Sequence, residues 1–305
     1  MPVTLKNMPT LDLTHMGPDD LSEVEEIKNI AMVLATKSQA AALARIPTKN
    51  VAKIVHIPDD TEANITTGML EVGGDSFDKP QNQNKVLIIT GALVVTSPVS
   101  QSKYREIHVT GGILAPYGSE NALGAAITSM SGAILYYRYV EGQQIKSLSG
   151  QSRISGETLA NGTGTADDIL VAAGQLIVTG PVTTLGFAQL IVSGQCIAPR
   201  DSEPVLGPAL TVAGQTLWYA GTAPRMFTGD ESFGSDFFEY IEEPMSMVLL
   251  GEHTIEAGVD AALLKEKVSV ISLFGTLHAP RELHGLLQFL AVENQGRIVD
   301  DTDFD

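Results

Sequence analysis

The stretch Val86–Val99, VLIITGALVVTSPV, decides the reading of the chain, because it returns at Ile169–Val182 as ILVAAGQLIVTGPV with its glycine and its Pro-Val pair in step. Downstream the two copies stay aligned. IHVTGGILAP (Ile107–Pro116) answers to LIVSGQCIAP (Leu190–Pro199), and SENALGAAITSMSGAILYY (Ser119–Tyr137) answers to SEPVLGPALTVAGQTLWY (Ser202–Tyr219) after one deletion. A third, diverged copy begins near Met247 as MVLLGEHTIEAGV and continues as ISLFGTLHAP (Ile271–Pro280). Gly91 to Gly174 and Gly111 to Gly194 are each 83 residues apart, and Gly194 to Gly275 is 81. Agreement over two whole units marks a tandem array.

Each unit divides again. Glycines recur at Gly91, Gly111, Gly132, Gly150, Gly174, Gly194 and Gly214, about 20 residues apart, which is the length of one coil in a stacked repeat. A fainter version reaches the N-terminus, where LKNMPTLDL (from Leu5), IKNIAMVLA (from Ile27) and TKNVAKIVHI (from Thr48) repeat Lys-Asn. Between them, PDDLSEVEEI and KSQAAALARI carry helical spacing.

The runs are β-branched and apolar with little alternation, as expected of strands with little exposure, and glycine interrupts them where the backbone bends or approaches a neighbour closely. The expected fold is therefore mainly all-β: a parallel β-helix or solenoid with coils of about 20 residues and a few short helices at the N-terminal end. The expected divisions are residues 1–84 (N-terminal β/α coils), 85–167 (first repeat unit), 168–246 (second) and 247–305 (a diverged third with an acidic tail), all in one continuous solenoid.

Composition narrows the function. The chain has 305 residues, 19 Lys plus Arg against 36 Asp plus Glu, and a formal charge of −17. That balance disfavours nucleic acid and anionic membranes, whose recognition needs clustered cations. No run is long and apolar enough to span a bilayer, the N-terminus lacks the pattern of a signal peptide, and one cysteine excludes an internal disulfide framework. A soluble cytoplasmic protein is the expectation.

Candidate chemistry is sparse. Cys196 reads as a small buried apolar side chain. His15, His56, His108, His253, His278 and His284 form no metal-binding spacing, so no metal and no cofactor are expected. The carboxylate pairs Asp59-Asp60, Asp167-Asp168 and Asp300-Asp301 would suit glycoside hydrolysis only if opposed across a cleft, and each reads as a solvated turn. NGTGTADD (Asn161–Asp168) reads as a Gly-rich loop. No catalytic or cofactor-binding residue is assigned.

The most distinctive local segment is MFTGDESFGSDFFEYIEEP (Met226–Pro244). It reads as a replacement for the fourth coil of the second unit, either a coil with buried aromatics or a protruding segment in which Phe237 and Phe238 anchor a partner inside an acidic rim.

In the glycine-punctuated runs from Gly91 to Gly214 the chain resembles the bactofilin-type β-solenoids, and that resemblance implies stacked Val, Ile and Gly-rich coils that assemble end to end. The expected function is a non-catalytic structural, scaffold or protein-binding solenoid. Its partner would be itself, through self-assembly, or a basic protein, through residues 226–244. The alternative is a carbohydrate-active β-helix enzyme, a lyase or glycoside hydrolase.

Overall fold

A computed structural model describes residues 3–221 and 224–300. Its strands form four parallel sheets, each curled into a half-barrel. The first holds β1 (Val3–Asp12), β2 (Val24–Thr36) and β3 (Thr48–Ile57). In the second are β4 (Glu62–Val72), β5 (Lys85–Val95), β6 (Glu106–Thr110), β7 (Ile113–Pro116), β8 (Ile127–Met130) and β9 (Ile134–Tyr137). The third repeats this order as β10 (Ile145–Ile154), β11 (Ile169–Val178), β12 (Gln189–Val192), β13 (Cys196–Pro199), β14 (Leu210–Val212) and β15 (Thr216–Tyr219). So does the fourth, with β16 (Arg225–Phe233), β17 (Met245–Ile255), β18 (Val268–Leu273), β19 (Thr276–Ala279), β20 (Ala291–Asn294) and β21 (Arg297–Asp300).

A long strand such as β5 pairs along its first half with β6 and along its second half with β7, and the gap between those two short strands falls at Gly111 and Gly112. Each half-barrel thus has a bend running straight across its strands, and in the last three glycine occupies the bend on every strand. In the second sheet the column is Gly68, Gly91, Gly111 and Gly132; in the third, Gly150, Gly174, Gly194 and Gly214; in the fourth, Gly229, Gly251, Gly275 and Gly296. A Cβ on Gly194 or on Gly214 would lie 2.5 Å from the carbonyl oxygen of the glycine one strand earlier. Gly91 and Gly174 add a second demand, φ of +147° and +144°, which a side chain rarely tolerates.

The first sheet meets the same bend with asparagine. Asn7, Asn29 and Asn50 sit at φ of 59°, 53° and 54°, the left-handed region that Asn enters more readily than other non-glycine residues. Their side chains form a ladder: Asn29 Nδ2 donates to Asn7 Oδ1 (3.0 Å) and Asn50 Nδ2 to Asn29 Oδ1 (3.1 Å). This explains the Lys-Asn repeat.

The bend also explains why the strands are apolar without alternation. Leu87, Ile89, Leu93 and Val95 of β5 fill the interior of their own half-barrel. On the opposite face, Val86 and Ile88 pack against Met32, Leu34, Val55 and Ile57 of the first sheet. Beyond the bend, Ala92 and Val94 pack against Ile169, Val171 and Ala173 of the third sheet. The third and fourth half-barrels meet in the same way, through Ile177, Ile197, Leu217 and Tyr219 against Val248 and Leu250. Each valine, leucine or isoleucine so taken from water contributes about 1.5–3 kcal/mol, so the junctions add to the stability that the interiors supply.

Two expectations change. Strands pair only within the four sheets, so among the described residues no hydrogen-bonded ladder runs unbroken along the chain; the half-barrels join back to back. Short helices are also not confined to the N-terminal end. Crossovers carry them throughout, as at Glu120–Ala126, Glu203–Leu206, Ser235–Glu239, Ala261–Lys267 and His284–Leu290, because a parallel strand must return to the same edge and the returning segment lids the half-barrel. Leu123, Leu206, Phe238, Leu264 and Leu287 are among the buried residues of these lids.

The column is testable. Gly91→Ala should cost about 3 kcal/mol or more in urea unfolding, through both collision and φ. Gly124→Ala, inside the helix Glu120–Ala126 with open space around the added methyl, should be neutral or stabilising by up to about 1 kcal/mol.

Candidate functional site

Three junctions between half-barrels can be compared position by position, and they differ where the edge of one sheet overhangs the next. Lys37 follows β2 in the first half-barrel, Tyr117 follows β7 in the second and Arg200 follows β13 in the third; two residues later each chain turns in on a buried polar side chain, Gln39, Ser119 or Ser202. Ser119 Oγ accepts the Val99 N–H (3.0 Å) and Ser202 Oγ the Val182 N–H (2.8 Å), which fixes the register of the comparison.

At the first junction Lys37 Nζ reaches Glu106 Oε1 (2.8 Å). The other carboxylate oxygen, Oε2, meets His108 Nε2 at 3.1 Å, and His108 Nδ1 lies 2.7 Å from Ser129 Oγ. Burial pushes the Glu106 carboxyl up, but the Lys37 ammonium and His108 outweigh it and hold the group below the usual carboxylate range. Burial holds the His108 imidazole below its ordinary value, against the pull of Glu106. The neutral ring therefore donates from Nε2 to Glu106 and accepts the Ser129 hydroxyl at Nδ1. The order hydroxyl, imidazole, carboxylate is that of a serine-hydrolase relay. Its place in the fold gives it another role. His108 is only 6% exposed, and it stands in the row of Ile88 and Ile191, the residues that pack the junctions.

At the third junction the Arg200 guanidinium binds the Glu293 carboxylate through both Nε and Nη2, the latter at 2.7 Å from Oε2. Glu293 occupies the position of Ser129 and Thr211. Behind it Ser272 Oγ accepts the Ala220 N–H at 3.0 Å.

The second junction is open. Tyr117 and Thr211 stand where the third junction has its ion pair, and between them lies a groove of about 530 Å³ lined also by Tyr136, Arg138, Gln143 and Gln189. The rings of Tyr117 and Tyr136 stack with centroids 6.0 Å apart and planes at 30°. Tyr117 is 57% exposed. Burial and the nearby Glu120 charge raise the Tyr136 hydroxyl above its ordinary value, so it remains a donor at neutral pH. Gln189 clamps the linker, accepting the Arg138 N–H on Oε1 (3.0 Å) and donating Nε2–H to the Arg138 carbonyl (2.6 Å). The Arg138 backbone is thereby fixed, while its exposed guanidinium enters no ion pair among the described residues.

The residues singled out from sequence fall elsewhere. Met226–Pro244 is not a substitute fourth coil of the second unit; that coil is β14 and β15, and Met226 to Phe233 form the first strand of the last sheet, with Gly229 in the glycine column. Phe233 and Phe238 are core, and Phe227 and Phe237 pack against them. Phe237 and Phe238 meet edge to face at 5.1 Å, so the segment offers no exposed phenylalanine pair, and Tyr240 alone of its aromatics projects, 87% exposed.

Asp168 is a structural knot, not half of an opposed acid pair. It accepts from Asn161 Nδ2 (3.1 Å) and Thr165 Oγ1 (2.8 Å), hydrogen bonds that hold its carboxyl below the ordinary value. Asn161 also donates to the carbonyls of Thr165 and Gly186, so NGTGTADD is an ordered loop. Asp59 is held by the Ser38 hydroxyl and Asp301 lies outside the described residues. Cys196 is fully buried, and burial pushes its thiol up to about 12. His253 and His284 donate to the carbonyls of Leu250 and Ala279, and His278 pairs with Glu252. Among the described residues no group of three or more His, Cys, Asp or Glu is placed to hold a metal, and no helix is long and apolar enough to cross a membrane.

Compared with known proteins, the chain matches no family model, no curated protein and no solved structure. None of these comparisons bears on the bactofilin resemblance.

The first junction gives a pH dependence with a definite sign. Since the folded state holds His108 below 6.5, the contribution of the neutral ring is complete above that value and is lost as the pH falls through the folded pKa. His108→Ile, which installs the residue found at position 191, should flatten the decline of the melting temperature between about pH 6.5 and pH 5 relative to the unaltered chain. An unchanged slope would remove His108 from the junction's acid sensitivity.

Proposed function

We propose that the chain is a non-catalytic scaffold or binding protein of the cytoplasm, a finite solenoid-like series of half-barrels that presents its flank to a partner. The observation that carries this reading is the contrast between inner and outer ends of the series. Where internal junctions bury Ile88, Val171 or Val248, the free face of the first sheet carries Glu26, flanked by a row of Lys6, Lys28 and Lys49 on neighbouring strands. Lys28 is paired with Glu26 at 2.5 Å. The corresponding facet of the last sheet carries Thr254 and His278 where the third has Ile177 and Ile197, and His278 is paired there with Glu252 at 2.8 Å. Stacking further copies on these faces would take the partly exposed Lys28 and Glu26 and the exposed Glu252 out of water, at a cost of several kcal/mol for each charge.

The flank remains. It carries the open groove of the second junction and, at the last half-barrel, Tyr240 among Glu239, Glu242 and Glu243, an acidic edge suited to a basic protein. Sedimentation and negative-stain imaging of the purified chain test the proposal. A single elongated monomeric species at physiological salt is expected; filaments that grow with protein concentration would overturn it in favour of end-to-end assembly.

A further inference from the structure

We propose that the groove of the second junction is a saccharide-binding site, taking two or three sugar units of a neutral chain. The inference rests on the flank-presenting reading above and adds the chemistry of what is bound.

The first argument is the repeat itself. Positions that close the neighbouring junctions with Lys37–Glu106 and Arg200–Glu293 are here Tyr117, Gln189 and Thr211, so at these positions the second junction is left open as a groove. Its volume lies in the range of small-molecule sites.

The lining is the second argument. A pyranose presents an apolar face of C–H bonds, whose slightly positive hydrogens complement the negative face of an aromatic ring, and a rim of hydroxyls that need donors and acceptors. The exposed Tyr117 ring, backed by Tyr136, offers a face for the first. Thr211 offers a hydroxyl, Arg138 a guanidinium with no competing carboxylate, and Gln143 the NH₂ of an amide whose Oε1 already accepts the Val140 N–H (2.7 Å). Gln189 fixes the Arg138 backbone, so ordering on binding falls on side chains and not on the main chain of the linker. The chain's charge of −17 argues against a polyanionic glycan, which the whole molecule would repel.

Ligand-observed saturation-transfer NMR with the full chain and four neutral probes, cellotriose, maltotriose, chitotriose and xylotriose, tests the site. At least one probe should bind. Tyr117→Ala and the double change Tyr117→Arg with Thr211→Glu, which rebuilds the ion pair of the third junction across the groove, should each weaken that binding at least about tenfold. Because Tyr117 is 57% exposed, both variants should keep the parent melting temperature. Absence of binding by all four probes at about 10 mM, or binding unchanged in the closed variant, overturns the site. A finite monomer that binds no sugar would remove this assignment and leave the scaffold reading standing. Cleavage of a bound probe, seen by product analysis, would uphold the site and remove the non-catalytic reading.

Discussion

The structure depends on the close approach of backbones at the bend. Parallel strands hydrogen-bond at about 4.8 Å, and a sheet creased across all of its strands at once must bring the carbonyl of one strand against the Cα of the next. Gly91, Gly174 and Gly251 meet that requirement on the three long strands, and their equivalents on the flanking strands meet it in register. A side chain at Gly91, Gly174 or Gly251 would have to displace the main chain of the strand before it. The crease in turn decides which way each half-strand faces, and so which residues line the interior and which meet a neighbouring half-barrel.

From the crease follows the back-to-back assembly. A flat sheet has one face for a core and one for solvent, whereas a sheet folded at its middle offers two outward facets, one to the preceding half-barrel and one to the next. Ile88 and Val94 of β5 are six residues apart on one side of the strand, yet they serve different junctions. The apolar pattern lapses on the two outermost facets: Lys28 stands there in the first sheet, paired with Glu26, and His278 in the last, paired with Glu252. Tyr137 and Tyr219 tie the second facets further, each hydroxyl donating to a carbonyl of its own long strand, Val95 and Val178.

The glycine spacing and the parallel strands were legible in the sequence because they are matters of period and residue type. Gly91, Gly111, Gly174 and Gly194 recur at fixed offsets, and apolar runs without alternation announce two buried faces. The Lys-Asn copies were legible as a repeat but not as a substitute for the glycine column, since the left-handed backbone of Asn29 and the ladder of amides exist only once the strands are stacked. The breaks between sheets were not legible: the linker around Arg138 has the same polar composition as a crossover, and whether a strand pairs with its predecessor or packs behind it is a matter of direction in space. Met226–Pro244 misled because acids and aromatics alternate there as they do in a protruding segment, while the chain sorts them, Phe233 and Phe238 inward and Asp236 and Glu239 outward.

The groove lay beyond sequence for a related reason. Tyr117, Tyr136, Arg138 and Thr211 are scattered over two repeat units, and each is an ordinary residue for its own coil. Their meaning appears only when the three junctions are superposed in register and the middle one is found without its ion pair. In an array whose packing residues are held to a common plan by the crease, a cation and an acid that bridge two junctions and are missing from the third mark a position released from the packing requirement. Such a position can be spent on recognition without weakening the fold, because the apolar facets beneath it, Ala92 and Val94 against Ile169 and Val171, already hold the half-barrels together. That separation between a buried facet that fixes geometry and an overhanging edge that is free to vary is what lets one repeated unit carry three different edges.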